Sequence, residues 1–124
     1  MDVINRDDAP AFTTKDSSTI REILAYRNSP DTVRQSLAEA TIAPGQETQA
    51  HFHPNTEEIY YMLRGGALMA LEGERREVRP GDAIAIPPGA RHQIRNTGAE
   101  DLVFLCCCVP AYENVDTVMC DNLL

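Results

Sequence analysis

From about Gln35 to Val109 the chain runs in short stretches where apolar and polar residues alternate, each cut by Gly, Pro, Asn or Asp. A period of two marks strands with one buried face, and turn residues at this spacing predict an all-β barrel or sandwich. The predicted strands are Ser36 to Ile42, Glu47 to Phe52, Glu58 to Leu63, Ala67 to Leu71, Arg75 to Val78, Ala83 to Ile86, His92 to Asn96 and Leu102 to Val109. Between them Pro44-Gly45, Pro54-Asn55, Gly65-Gly66, Gly73, Pro80-Gly81-Asp82, Pro87-Pro88-Gly89 and Thr97-Gly98 supply the turns. This density of strands leaves no length for helices inside the core.

The first 34 residues read differently. Thr19-Ile20-Arg21-Glu22 has capping-box spacing ahead of Ile23, Leu24 and Tyr26, which predicts a short helix followed by a Ser29-Pro30-Asp31 turn. The chain therefore divides into an N-terminal arm or helical segment over 1–34, a barrel over 35–109 and a C-terminal extension over 110–124 without predicted structure.

At 124 residues there is length for one domain, and the 43% hydrophobic content is that of an ordinary globular protein. Nineteen acidic residues against eleven basic ones give a formal charge of −8. Nucleic acid and anionic lipid are held mainly through clustered Lys and Arg, so both are set aside as partners. No apolar run reaches the roughly 18 residues of a membrane-spanning helix. No basic stretch followed by an apolar one opens the chain, which reads as cytoplasmic. Of the four cysteines, Cys106, Cys107 and Cys108 are consecutive and Cys120 lies near the end. Neighbours on a strand point to opposite faces and lack disulfide geometry, so the triplet reads as small core side chains. Cys106 and Cys108 share a face, from which a thiol would reach an internal cavity.

The candidate chemistry is metal binding. His51, His53 and His92 are the only histidines, and Glu57-Glu58 follows the first two closely. Imidazole nitrogens with a carboxylate oxygen suit a divalent transition ion. Alternation puts Glu47, Gln49, His51 and His53 on one face, so two imidazoles converge from one strand and Gln49 becomes a candidate substrate contact. The Pro54-Asn55-Thr56 turn brings the chain back beside them. Either Glu58 then points inward with Tyr60 and Met62, or Glu57 does with Ile59, Tyr61 and Leu63. His92 closes the set from a separate strand, while Arg91 and Arg95, an odd number of positions away, point outward.

Two blocks carry a family resemblance. The first is Gly45, five residues, His51-Phe52-His53, four residues, Glu58, six residues, Gly65; the second is Gly81, five residues, Pro87-Pro88-Gly89, two residues, His92, three residues, Asn96. They resemble the paired motifs of the cupin superfamily, and the short stretch 66–80 between them is similar to that of small single-domain bacterial cupins. The resemblance implies a double-stranded β-helix, a jelly-roll barrel. It also implies His51, His53, Glu58 and His92 as metal ligands, taking Glu58 over Glu57, with Tyr60 as an inward general base or substrate contact, as in small cupin lyases. The ion would be Fe, Mn, Ni, Co or Zn, with up to two positions left open in an octahedral site. The implied activity is that of a metal-dependent enzyme acting on a small oxygen-bearing organic substrate, a dioxygenase ahead of a lyase or isomerase. The alternative is a non-catalytic protein that binds a sugar or small organic acid. A homodimer, paired through sheet edges and N-terminal arms, goes with either.

Overall fold

In the computed structural model, which describes residues 1–124, alternation of sequence becomes alternation of burial. Along Ser36–Ile42 and Leu102–Val109 every second side chain is buried, and along Glu57–Arg64 the buried ones are Glu58, Tyr60 and Met62. Eleven strands form: β1 (Ala11–Thr13), β2 (Thr19–Leu24), β3 (Ser36–Ile42), β4 (His51–Phe52), β5 (Glu57–Arg64), β6 (Ala67–Leu71), β7 (Glu74–Val78), β8 (Ala83–Ile86), β9 (His92–Asn96), β10 (Leu102–Val109) and β11 (Val118–Met119). All pairings are antiparallel, in a six-stranded sheet of order β1-β2-β3-β10-β5-β8 and a five-stranded sheet of order β11-β4-β9-β6-β7. The only helical structure is two single turns, Arg6–Asp8 and Asn114–Asp116. No helix is long and apolar enough to cross a membrane.

The helix expected at Thr19–Glu22 is instead strand β2, which pairs with β3 through Thr19↔Thr41, Ile20↔Ala40, Arg21↔Glu39 and Glu22↔Ala38. A helix stopped by Pro30 would be too short to repay its nucleation, whereas β3 offers an open edge and Thr19, Ile20 and Ile23 are β-branched. Residues 11–24 thus form a hairpin that extends the six-stranded sheet, and its connecting loop folds over one end of the barrel.

The strand expected over Glu47–Phe52 survives only as His51–Phe52. Glu47 pairs with Arg95 and His51 with His92, so four steps on one side oppose three on the other. This is a one-residue bulge, and such a bulge reverses which side chains face inward. Thr48 and Ala50 are buried, Gln49 is exposed, and His51 follows Ala50 inward. The Thr48 hydroxyl accepts the Ile94 N–H at 3.1 Å, standing in for a ladder carbonyl.

The core is graded along the barrel. At one end Phe104, Met62, Leu102, Ile42, Met69 and Ile94 fill the space between the sheets, all nearly inaccessible to solvent. At the other, the inward residues of β3 and β10 are Ser36, Ala38, Ala40, Cys106 and Cys108. Small side chains on these neighbouring strands leave a cavity there, which His51 and His53 line from the other sheet.

Candidate metal centre

Each histidine ring is aimed by a backbone carbonyl. His51 Nδ1 lies 2.7 Å from the Gln49 carbonyl oxygen, His92 Nδ1 2.9 Å from that of Ala90 and His53 Nδ1 3.2 Å from that of Asp116. A carbonyl only accepts, so each Nδ1 carries its hydrogen and donates it, which in the neutral ring leaves Nε2 a lone pair turned toward the other two histidines. One ring nitrogen from each of the three lies within 4.8 Å of the others. The three buried histidines could hold a metal ion.

Glu58 enters the same space from β5. Its Oε1 is 3.5 Å from both His53 Nε2 and His92 Nε2, while its Oε2 accepts the Cys108 thiol at 3.1 Å. Glu57, one residue earlier, is exposed. Glu58 Oε1 and His92 Nε2 are buried and have no hydrogen-bond partner. An unpaired buried polar atom costs about 1–3 kcal/mol, and more when it is charged. A cation among these atoms would take up both lone pairs, and three nitrogens with one carboxylate oxygen are a donor set that divalent transition ions favour.

The electrostatics are those of a tight cluster. Burial, with the neighbouring His92 next in importance, holds His51 down to about 4, so it is neutral near pH 7. Burial also opposes the charge on Glu58, yet His53 and His92 outweigh it and keep the carboxyl well below its ordinary range. Glu58 raises His53 in turn against the same burial penalty.

Tyr60 lines the cavity, its ring 5.9 Å from that of His92 and 4.6 Å from that of Phe104. Burial, and after it the nearby Glu58 charge, push its phenol well above the ordinary tyrosine value, so it stands protonated and suits donating a hydrogen bond. Gln49, on the exposed side of the bulge, is outside the cavity lining, and its amide donates to the Ser17 hydroxyl at 3.4 Å. Arg91 pairs with Glu72 and Arg95 with Glu47, both away from the histidines. Cys106 and Cys108 line the cavity, and Cys107 lies on the outer face. Burial raises the thiols of Cys106 and Cys108, which keeps them protonated.

Residues outside the expected set complete the cavity. Thr14, Asp16 and Ser18 come from the β1–β2 loop, and Tyr112 and Thr117 from the segment after β10. The Asp16 Oδ2 is 3.4 Å from His51 Nε2. Asp116, in the C-terminal segment, accepts from the Asn55 side chain and the Thr56 hydroxyl and so ties that segment beside His53. The run Thr14-Lys15-Asp16-Ser17-Ser18 carries a turn signal in its small polar residues, but nothing local says that the turn closes over the barrel. The cavity is small, about 40 Å³, which at roughly 10–15 Å³ per water holds about three waters.

The cupin domain family matches residues 38–108. An uncharacterized protein of Methanocaldococcus jannaschii is 47% identical over 111 residues, covering 90% of this chain and 88% of that one. The oxalate-binding protein of Thermotoga maritima is 35% identical over 69 residues, covering 56% of this chain and 57% of that protein. Beyond the archaeal relative, the chain spans about half the length or less of curated relatives that it matches. Among solved structures, the polyketide cyclase RemF from Streptomyces resistomycificus superposes with a TM-score of 0.79 at 26% identity, covering 98% of this chain and 87% of that one.

Proposed function

The chain belongs to the cupin family, and from that premise we propose that it is a metal-dependent enzyme acting on a compact, oxygen-bearing organic substrate. The observation that carries the reading is the pair of buried, unpartnered atoms, Glu58 Oε1 and His92 Nε2, facing each other across 3.5 Å. In it His51, His53, Glu58 and His92 hold the ion, which is one of Fe, Mn, Ni, Co or Zn. A bound ion of this kind supplies Lewis acidity toward a substrate oxygen and, where it is redox-active, oxygen chemistry.

The chain's own residues would do the rest. Tyr60 donates a hydrogen bond to a substrate oxygen, and the hydroxyls of Thr14, Ser18, Ser36 and Thr117 offer further polar contacts at the cavity wall. The cavity's size favours a substrate of a few heavy atoms, and small carboxylates, including the oxalate of the Thermotoga protein's name, are the first candidates. In this reading the carboxylates and imidazoles at the cavity are all committed, Glu58 and the histidines to the ion and the others to partners. Glu58 and the histidines form the cluster, Glu22 pairs with Arg27, and Asp16 is held by its loop and faces His51. A lyase or isomerase would draw its base from Tyr60, which stands protonated, or from a water, and dioxygenase chemistry is the branch carried forward. The test is an oxygen electrode with Fe(II)-loaded protein and a panel of small hydroxy acids and dicarboxylates. Substrate-dependent oxygen uptake is expected. Turnover without oxygen uptake would select the lyase or isomerase, and tight binding without turnover the non-catalytic alternative.

We further propose that the chain is a homodimer. On the outer face of the six-stranded sheet, Ile59, Tyr61 and Leu63 are each more than 40% exposed, with Ala83 and Ala85 paired beside them and Leu105 opposite Tyr61. An exposed apolar face of this kind marks an interaction surface, and a second copy would cover it symmetrically. Tyr61→Glu is expected to convert a dimer to a monomer in sedimentation velocity; wild-type protein that sediments as a monomer would refute this.

A further inference from the structure

We propose that Asp16 is a fifth ligand-bearing side chain of the metal centre, delivered by the β1–β2 hairpin loop from outside the residues that the family matches. This rests on the metal reading above. The side chain is 12% exposed, and its two oxygens face different partners. Oδ1 accepts from the Thr14 hydroxyl, the Ser18 N–H at 3.0 Å and the Ser18 hydroxyl at 2.7 Å. Those three bonds fix the carboxylate and turn Oδ2 toward His51 Nε2, at 3.4 Å.

His51 Nδ1 already donates to the Gln49 carbonyl, so the nitrogen facing Oδ2 is the one with the lone pair. Two acceptors facing each other at this distance repel, and a shared cation turns the repulsion into attraction. The spacing repeats that of Glu58, whose Oε1 is 3.5 Å from His53 Nε2 and from His92 Nε2. For metal–ligand bonds of about 2.0–2.2 Å, neighbouring ligand atoms lie roughly 3–3.5 Å apart. Asp16 therefore stands to His51 as Glu58 stands to His53 and His92. Two carboxylates also balance the charge of a divalent ion.

The loop is built to hold this placement. The Gln49 N–H donates to the Asp16 carbonyl at 2.7 Å, and Lys15 Nζ donates to the Thr117 carbonyl at 3.0 Å, which ties the turn to both walls of the barrel mouth. Ser17 has a φ of 77°, the left-handed region that residues with a side chain rarely occupy. Strain of this sort persists where surrounding contacts over-determine it, and it concentrates at functional sites.

The test compares wild type, Asp16→Asn and Ser18→Ala by competition for Co(II) against a chromophoric chelator and by hydrogen exchange of residues 11–24 with and without the ion. Asparagine keeps Oδ1 for the loop and replaces Oδ2 with an N–H that would bond His51 Nε2. Ser18→Ala removes loop bonds and keeps the carboxylate. Asp16→Asn is expected to weaken Co(II) binding roughly 10- to 100-fold, the range seen when groups supporting a metal site are lost. It should also abolish the slowing of exchange that the ion brings to the hairpin in wild type. Ser18→Ala should keep both properties. Wild-type affinity and protection in Asp16→Asn would overturn the inference while leaving the metal reading intact. A wild type that takes up no Co(II) would overturn both.

Discussion

Stripping the protein with a chelator is expected to lower its unfolding free energy by about 4 kcal/mol, relative to protein in a divalent transition ion held at a thousand times its dissociation constant. For a domain of this length that is a fall in Tm of roughly 10–20 °C. The expectation follows from the cluster's lone pairs. In the stripped protein the buried Glu58 carboxylate has only the Cys108 thiol and two imidazoles nearby, and His92 Nε2 has no partner. An unfolded chain does not bring together His51, His53, Glu58 and His92, so the ion binds the native state and stabilises it by mass action. In a His51→Ala, His53→Ala variant, melts with and without the ion should superpose. A variant that keeps the full shift would place the ion elsewhere.

Phe104→Ala should destabilise the stripped protein by about 3–5 kcal/mol, the range for removing a buried aromatic ring. Phe104 is 1% exposed where the packed core meets the cavity, and its ring packs 4.6 Å from that of Tyr60. The surrounding strands are locked by their ladders and cannot collapse into the gap, so the cavity term adds to the lost burial. Urea unfolding with an unchanged m value would report the loss. Phe12→Ala is the control: Phe12 is 42% exposed on β1, and its replacement should shift stability by no more than about 0.5 kcal/mol. A loss below about 1 kcal/mol for Phe104→Ala would mean that the two sheets do not pack as described.

Local pattern made much of the fold legible. Between Ser36 and Val109 the alternation and the turn residues mark most strands, because an antiparallel sheet buried on one face writes its pleat directly into the sequence. Thr19–Leu24 was not legible in this way. Its capping-box spacing is a real helix signal, but the deciding contact is the open edge of β3, which no window around residue 20 contains. Gln49 shows the same limit in another form. Simple alternation puts it beside His51, and a single extra residue opposite Arg95 and His92 turns it outward.

The centre divides along the same line. His51, His53 and His92 stand out by residue type and spacing and their rings come together, while Glu58, chosen over Glu57 by the family resemblance, reaches His53 and His92. Asp16, Tyr112 and Thr117 carry no such signal. They reach the cavity only because the hairpin and the C-terminal segment pair with distant strands, β2 on β3 and β11 on β4. The carbonyl of Asp116 that orients His53 is equally silent, since any residue type presents a carbonyl.

The most direct test of a buried transition-metal centre is elemental analysis of untagged protein purified without chelator, alongside the His51→Ala, His53→Ala variant. The expected result is about one Fe, Mn, Ni, Co or Zn ion per wild-type chain, as befits a single N/O site, and none in the variant. Wild-type protein that arrives metal-free and takes up none of these ions at micromolar concentration would contradict the account.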